Sequence, residues 1–107
     1  MIQFSEKDWK LFCRKIVGWQ ESYMDKLNRE YIEILSRESE PSDRFWTLEE
    51  RIHRDKHDCG VQCRMSRSNM FYVILSLQRE GAITFQDLDE FSDELKEAVQ
   101  FYMDETV

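Results

Sequence analysis

Between Trp9 and Ile34 an apolar or aromatic residue returns every three or four positions: Trp9, Phe12, Ile16, Trp19, Tyr23, Leu27, Tyr31 and Ile34. That spacing is the period of one face of an α-helix, and it predicts a single helix running to about Ser36 with one buried stripe. Ser5 followed by Asp8 resembles a capping box at its start, with Asp8 in place of the usual Glu. A helix of about 30 residues is ~45 Å long, more than a compact chain of this size needs across. Either Gly18 kinks it, or part of it protrudes and pairs with a second copy. The aromatic stripe itself reads as core rather than as a ligand cage.

The rest of the 107 residues is compatible with the same class. Three glycines and one proline are too few for a strand-and-turn architecture, which needs turn residues every 8–12 positions or so. The polar segment SRESEPSD, residues 36–43, is the one convincing linker-like loop. Ser42 or Asp43 can cap a second helix through Phe45, Leu48, Glu49 and Ile52, stopping near Gly60. Ser66 or Ser68 can cap a third, whose segment from Met70 to Leu77 is apolar almost all round and should form the centre of the core. Gly81 ends it. Thr84 with Asp87 can cap a fourth, lined by Leu88, Phe91, Leu95, Val99 and Tyr102. The expectation is therefore an all-α single domain over 1–107, about four helices around a common core with a long amphipathic N-terminal helix.

Composition narrows function mainly by exclusion. The longest purely apolar run, Met70 to Leu75, falls far short of the ~20 residues that span a bilayer. The opening MIQFSEKDWK lacks a signal-peptide layout, and three cysteines cannot all pair within one chain, so a cytoplasmic location is expected. No Gly-rich phosphate loop, nucleophile elbow or HExxH motif is present, so the chain reads as a non-enzyme requiring no cofactor. The net charge of −7 argues against non-specific nucleic-acid binding by the whole chain. It is uneven: residues 51–67 carry five basic against two acidic side chains, whereas residues 68–107 carry two basic against nine acidic.

Three constellations carry chemical interest. His53, His57, Cys59 and Cys63 lie within eleven residues and are the types that bind zinc. The histidines share a helical face, but Cys59 would lie about 200° round from His57 if the helix continued. Only a reversal at Gly60 could return both cysteines to one ion, so they are candidate metal ligands for a zinc-stabilised domain rather than an assigned site. The second constellation, GVQCRMSRSNMFYVILSLQREGAIT, residues 60–84, fits two DNA-binding patterns. One is helix-turn-helix. The other is a ribbon-helix-helix C-terminal half, with 61–66 as a short strand in a dimer and Gln62, Arg64, Ser66 and Arg67 as nucleic-acid-binding candidates. The third is the acidic run Asp87, Asp89, Glu90, Asp93, Glu94 and Glu97, which is a solvated helix face or a surface for a basic partner. An EF-hand alignment placing Gly81 on the invariant glycine fails, because Ser76 and Gln78 stand where acidic ligands are needed.

The stretches WQESYMDKLNREYIEIL, RMSRSNMFYVIL and EGAITFQDLDEFSDELKEAV resemble a group of small uncharacterised proteins of bacterial mobile elements from gut Gram-positive bacteria, some labelled "multidrug transporter". The resemblance implies an accessory role and no catalytic or ligand residues. The transporter label conflicts with the lack of a spanning segment. The leading reading is a small acidic helical module acting by protein–protein interaction with an unknown protein partner, as an accessory or inhibitor protein, dimeric through its first helix. A dimeric DNA-binding regulator stands second.

Overall fold

The computed structural model describes residues 4–105, and the outermost residues of the expected 1–107 domain lie outside the described residues. Its elements are α1 (Glu6–Leu35), α2 (Pro41–Asp55), α3 (Met70–Glu80), a one-turn 3-10 helix (Phe85–Leu88) and α4 (Asp93–Glu105). No strand forms among the described residues, so the ribbon alternative for 61–66 is overturned: these residues are turn and irregular loop. The all-α expectation holds.

α1 is one uninterrupted helix of 30 residues, with no break at Gly18. Its start is half of the expected box. Ser5 Oγ accepts from the Asp8 backbone N–H at 3.1 Å. The Asp8 carboxylate turns away instead, is buried, and accepts from the Ser92 backbone N–H at 2.9 Å and hydroxyl at 2.6 Å. Ser92 Oγ in turn accepts from the Leu95 N–H and so caps α4. One buried carboxylate thus joins the starts of two helices far apart in sequence.

Other caps differ from expectation for local reasons. α2 begins at Pro41, whose missing N–H costs nothing at the first helical position, with Glu40 rather than Ser42 or Asp43 at the cap. It stops at Asp55, short of Gly60. Asn69 rather than Ser66 or Ser68 precedes α3, and the two serine hydroxyls meet each other at 3.3 Å. The Thr84–Asp87 capping box forms, but on the one-turn 3-10 helix, and α4 starts only after Ser92. Gly81 ends α3 in the left-handed conformation at φ +81°, as a C-terminal glycine should.

The core is built from Leu11, Phe12 and Ile16 of α1, the inner face of α3, then Ile83, Leu88, Phe91, Leu95 and Val99. α3 lies at its centre, with Val73, Ile74 and Leu77 almost fully enclosed, while Tyr72 points outward. Trp19 meets Phe12 edge to face at 6.3 Å and stacks on Phe91 at 6.2 Å. α2 contributes no residue to this core, which corrects the expected arrangement of four helices round one centre. It packs instead along the second half of α1, where Leu27 and Ile34 are buried. The result is a three-helix head bearing a two-helix arm, 52 × 28 × 23 Å along its principal axes.

The loop from Lys56 to Asn69 is pinned where arm meets head. Both Glu80 carboxylate oxygens accept backbone N–H groups, from Cys59 at 2.9 Å and Gly60 at 3.0 Å. Tyr23 Oη donates to Asp58 at 2.7 Å, and its ring lies against Gly60, where a Cβ would come within 2.2 Å of a ring carbon. Gly60→Ala should therefore cost about 1–3 kcal/mol by overpacking. Gly18→Ala meets nothing within 4 Å in mid-helix and should stabilise by about 0.5–1 kcal/mol. Thermal melts of the two variants should shift in opposite directions.

Candidate interaction surface

Beside the buried Leu27 and Ile34, a polar network ties α2 to α1. Asp55 is α2's one buried residue, and it accepts from Tyr31 Oη at 2.7 Å and from Arg54 Nε at 3.2 Å. Arg51 lies 3.3 Å from the same carboxylate and donates to Glu30 at 2.6 Å. Burial pushes the Asp55 carboxyl up, but the Tyr31 hydroxyl and the two guanidinium groups outweigh it and hold the carboxyl below its usual range. The Tyr31 phenol is driven the other way, up to about 12, by burial and by the hydrogen bond to Asp55.

With its polar side turned inward, α2 leaves its large apolar residues outside. Phe45 and Trp46 are 62% and 60% exposed, Ile52 44%, and on α1 Ile32 and Leu35 are 63% and 50% exposed. Single exposed apolar residues are ordinary, but five of them stand on this one two-helix element. A groove of ≈290 Å³ runs beside them, lined by Met24, Leu27, Asn28, Tyr31, Ile52 and Val61 with Lys56 at its edge. Periodicity places Phe45 and Ile52 on the apolar side of α2, whereas Trp46, Ile32 and Leu35 fall outside the stripes it marks. The available signal was the length of α1, which exceeds what one core can cover.

The basic stretch 51–67 is largely neutralised within the chain. Arg51 and Arg54 serve Asp55, and Arg67 forms a two-pronged contact with Glu6 at 2.6 and 2.9 Å while lying over the Trp9 ring. Of the four nucleic-acid-binding candidates, Gln62 donates to the Lys56 carbonyl, Ser66 meets Ser68 and Arg67 holds Glu6, leaving Arg64 exposed.

The His/Cys cluster separates into two halves. His53 and His57 stay together on the outside of α2 and its end, with ring centroids 5.7 Å apart. Cys59 and Cys63 pack against the head's core, and Gln20 Nε2 donates to the Cys59 carbonyl at 2.9 Å and approaches Cys63 Sγ at 3.7 Å. Among the described residues no group of three or more His, Cys, Asp or Glu side chains converges as metal ligands would. Burial, reinforced by Glu80, raises both thiols above their usual range, the opposite of an activated nucleophile.

The acidic candidates Asp87, Asp89, Glu90, Asp93, Glu94 and Glu97 are all exposed. Asp87 is spent on the capping box, Glu90 pairs with Lys15 at 2.8 Å, and Asp93 lies 3.5 Å from Lys96. Glu94 and Glu97 face solvent, so the run forms a solvated flank of the head.

The Asp55 network implies a particular acid response. Its carboxyl binds a proton less readily folded than unfolded, so its contribution is present above the ordinary Asp value of ~3.9 and is lost as pH falls through the lower folded value. Glu80, raised by burial, acts with the opposite sign. The melting temperature of the wild type should fall more steeply from about pH 5 to about pH 2 than that of Asp55→Asn. At neutral pH Tyr31→Phe should cost about 1.5–3 kcal/mol, the range for hydrogen bonds to charged groups.

Set against models of known families, curated proteins and solved structures, the chain matches none.

Proposed function

We propose that this protein is a non-enzymatic helical module that works by protein–protein contact, with the α1–α2 arm as its contact element. One observation supports this most: Phe45, Trp46, Ile52, Ile32 and Leu35 are all exposed on an arm whose inner side is already closed by the Asp55 network. Aromatic and aliphatic anchors of this kind are what protein interfaces bury at their centres. The acidic flank of α4 supplies a second, electrostatic surface suited to a basic partner, which would speed encounter more than it would deepen affinity. A cytoplasmic accessory or inhibitor protein of a mobile element is the setting in which we place it, on the resemblance of its sequence. No helix of the described residues is long and apolar enough to cross a membrane. A homodimer belongs to the same reading, since α1 extends well beyond the core it helps to close.

The test is capture of partners from the native host with the full chain, in parallel with a Phe45→Glu, Trp46→Glu double variant of unchanged far-UV circular dichroism. Partners held by wild type and lost by the variant are expected. An identical set with both chains would overturn the arm as contact element. A salt-dependent shift of duplex DNA that disappears in Arg64→Ala would instead favour the DNA-binding regulator.

A further inference from the structure

The grooved side of the arm has a pattern that points to its occupant. Met24, Asn28, Tyr31 and Leu35 follow one another along α1 at spacings of four, three and four. Phe45, Leu48 and Ile52 do the same along α2 at three and four. Met24, Asn28, Tyr31 and Ile52 line one groove, which puts the two rows on the same side of the arm, and Leu35 with Phe45 continues them toward its tip by helical register. None of these seven positions is charged, in a chain with 35% charged residues. The alternation of three and four is that of a helix-bundle seam, not of a solvent-facing side.

The molecule also exposes more surface than a closed monomer would. A compact protein of 13.1 kDa has roughly 6,400 Å² of accessible surface, and this one has 7364 Å². Its radius of gyration is 16.4 Å, against about 13 Å for a compact chain of this length. The excess of about 1,000 Å² is close to the ~800 Å² that each partner buries in a standard interface. An antiparallel helix pair with one apolar side is half of a four-helix bundle, and a second identical arm supplies the other half. Charge permits it: residues 21–56 carry ten acidic and seven basic side chains interspersed, whereas residues 85–105 carry eight acidic and one basic and would repel their own copy.

We infer that the occupant is a second copy of this chain, whose arm packs antiparallel on the first to make a four-helix bundle with Asn28 on the two-fold axis. This rests on reading the arm as the contact surface. Asn28 sets the register for two reasons. It is the midpoint of the protruding part of α1, Glu21 to Leu35, so centring there gives the greatest overlap before each tip meets the other head. It is also an exposed amide in the middle of the seam that no other described residue hydrogen-bonds, and on the axis the two copies satisfy each other, donor to acceptor. A register shifted along α1 sets the amide against Met24, Tyr31 or Leu35 instead of its own copy, and pairing of a single Asn with itself is how such a residue specifies register in helical bundles.

Sedimentation equilibrium of the full chain from about 1 to about 200 µM should give a mass twice the monomer's. The double variant Leu35→Glu, Ile52→Glu should weaken association by about 100-fold or more with unchanged circular dichroism. Register is read by mild oxidation. Asn28→Cys should give a dimer stable in denaturing gels without reductant, and neither wild type nor Ser22→Cys, on the opposite side of α1, should do so. This cross-link stands independently if the charge variant misfolds. A monomer across the whole range overturns the inference, and if arm substitutions still abolish capture of another protein the broader arm reading survives. A dimer indifferent to Leu35→Glu, Ile52→Glu overturns the inference while leaving the arm reading to the capture test, and cross-linking through Ser22→Cys but not Asn28→Cys overturns the register.

Discussion

α1 is a rigid rod of 30 residues serving two different packing partners, and the remaining architecture follows from its length. Its first half, through Leu11, Phe12 and Ile16, closes the head against α3 and α4. Its second half extends beyond the reach of that core and must find cover elsewhere. α2 folds back along it and covers one side, burying Leu27 and Ile34, but a single helix cannot enclose another. The outer side of the arm therefore remains apolar and open. A kink at Gly18 would have removed the problem by folding α1 onto the head, yet with no side chain or proline forcing a break the helical hydrogen bonds run straight through.

The head and arm are joined by polar groups that replace apolar packing where the chain is irregular. Asp8 links the starts of α1 and α4 through Ser92, and Glu80 holds the loop after α2 by two backbone N–H groups. Asp55 ties α2 to α1 through Tyr31 and Arg51. Each is a buried or half-buried carboxylate with its donors in place, the condition under which such a group holds structure rather than costing it. They also account for part of the charge that made the sequence look divided. The basic stretch 51–67 is spent largely on the chain's own carboxylates, which removes most of the case for a phosphate-binding surface there.

Periodicity identified the elements well because α1 and α3 carry long, consistent patterns: the stripe from Trp9 to Ile34 and the nearly continuous apolar run from Met70 to Leu77. Caps were legible as motifs but not as locations. Thr84 and Asp87 do form a capping box, yet the Phe85–Leu88 turn it starts ends before α4 begins. Ser66 and Ser68 have the chemistry of caps, yet they bond to each other and Asn69 takes the position. Such local signals are satisfied by any nearby turn, and which turn continues is decided by what packs beneath it. The His/Cys cluster shows the same limit: four potential ligands adjacent in sequence are divided by a helix end, histidines outward and cysteines inward.

An all-helical chain with one helix too long for its core follows from local pattern alone, because hydrophobic period and helical rise need no knowledge of neighbours. Which apolar residues are core was settled by packing between elements. Phe45, Leu48 and Ile52 have the same spacing as the buried stripe of α1, but α2 turns Arg51 and Asp55 toward α1 and leaves Phe45 and Ile52 in solvent. Periodicity gives a helix an apolar side. Which side a neighbour covers depends on the balance of contacts across the whole fold, and here a buried carboxylate network won the inner position.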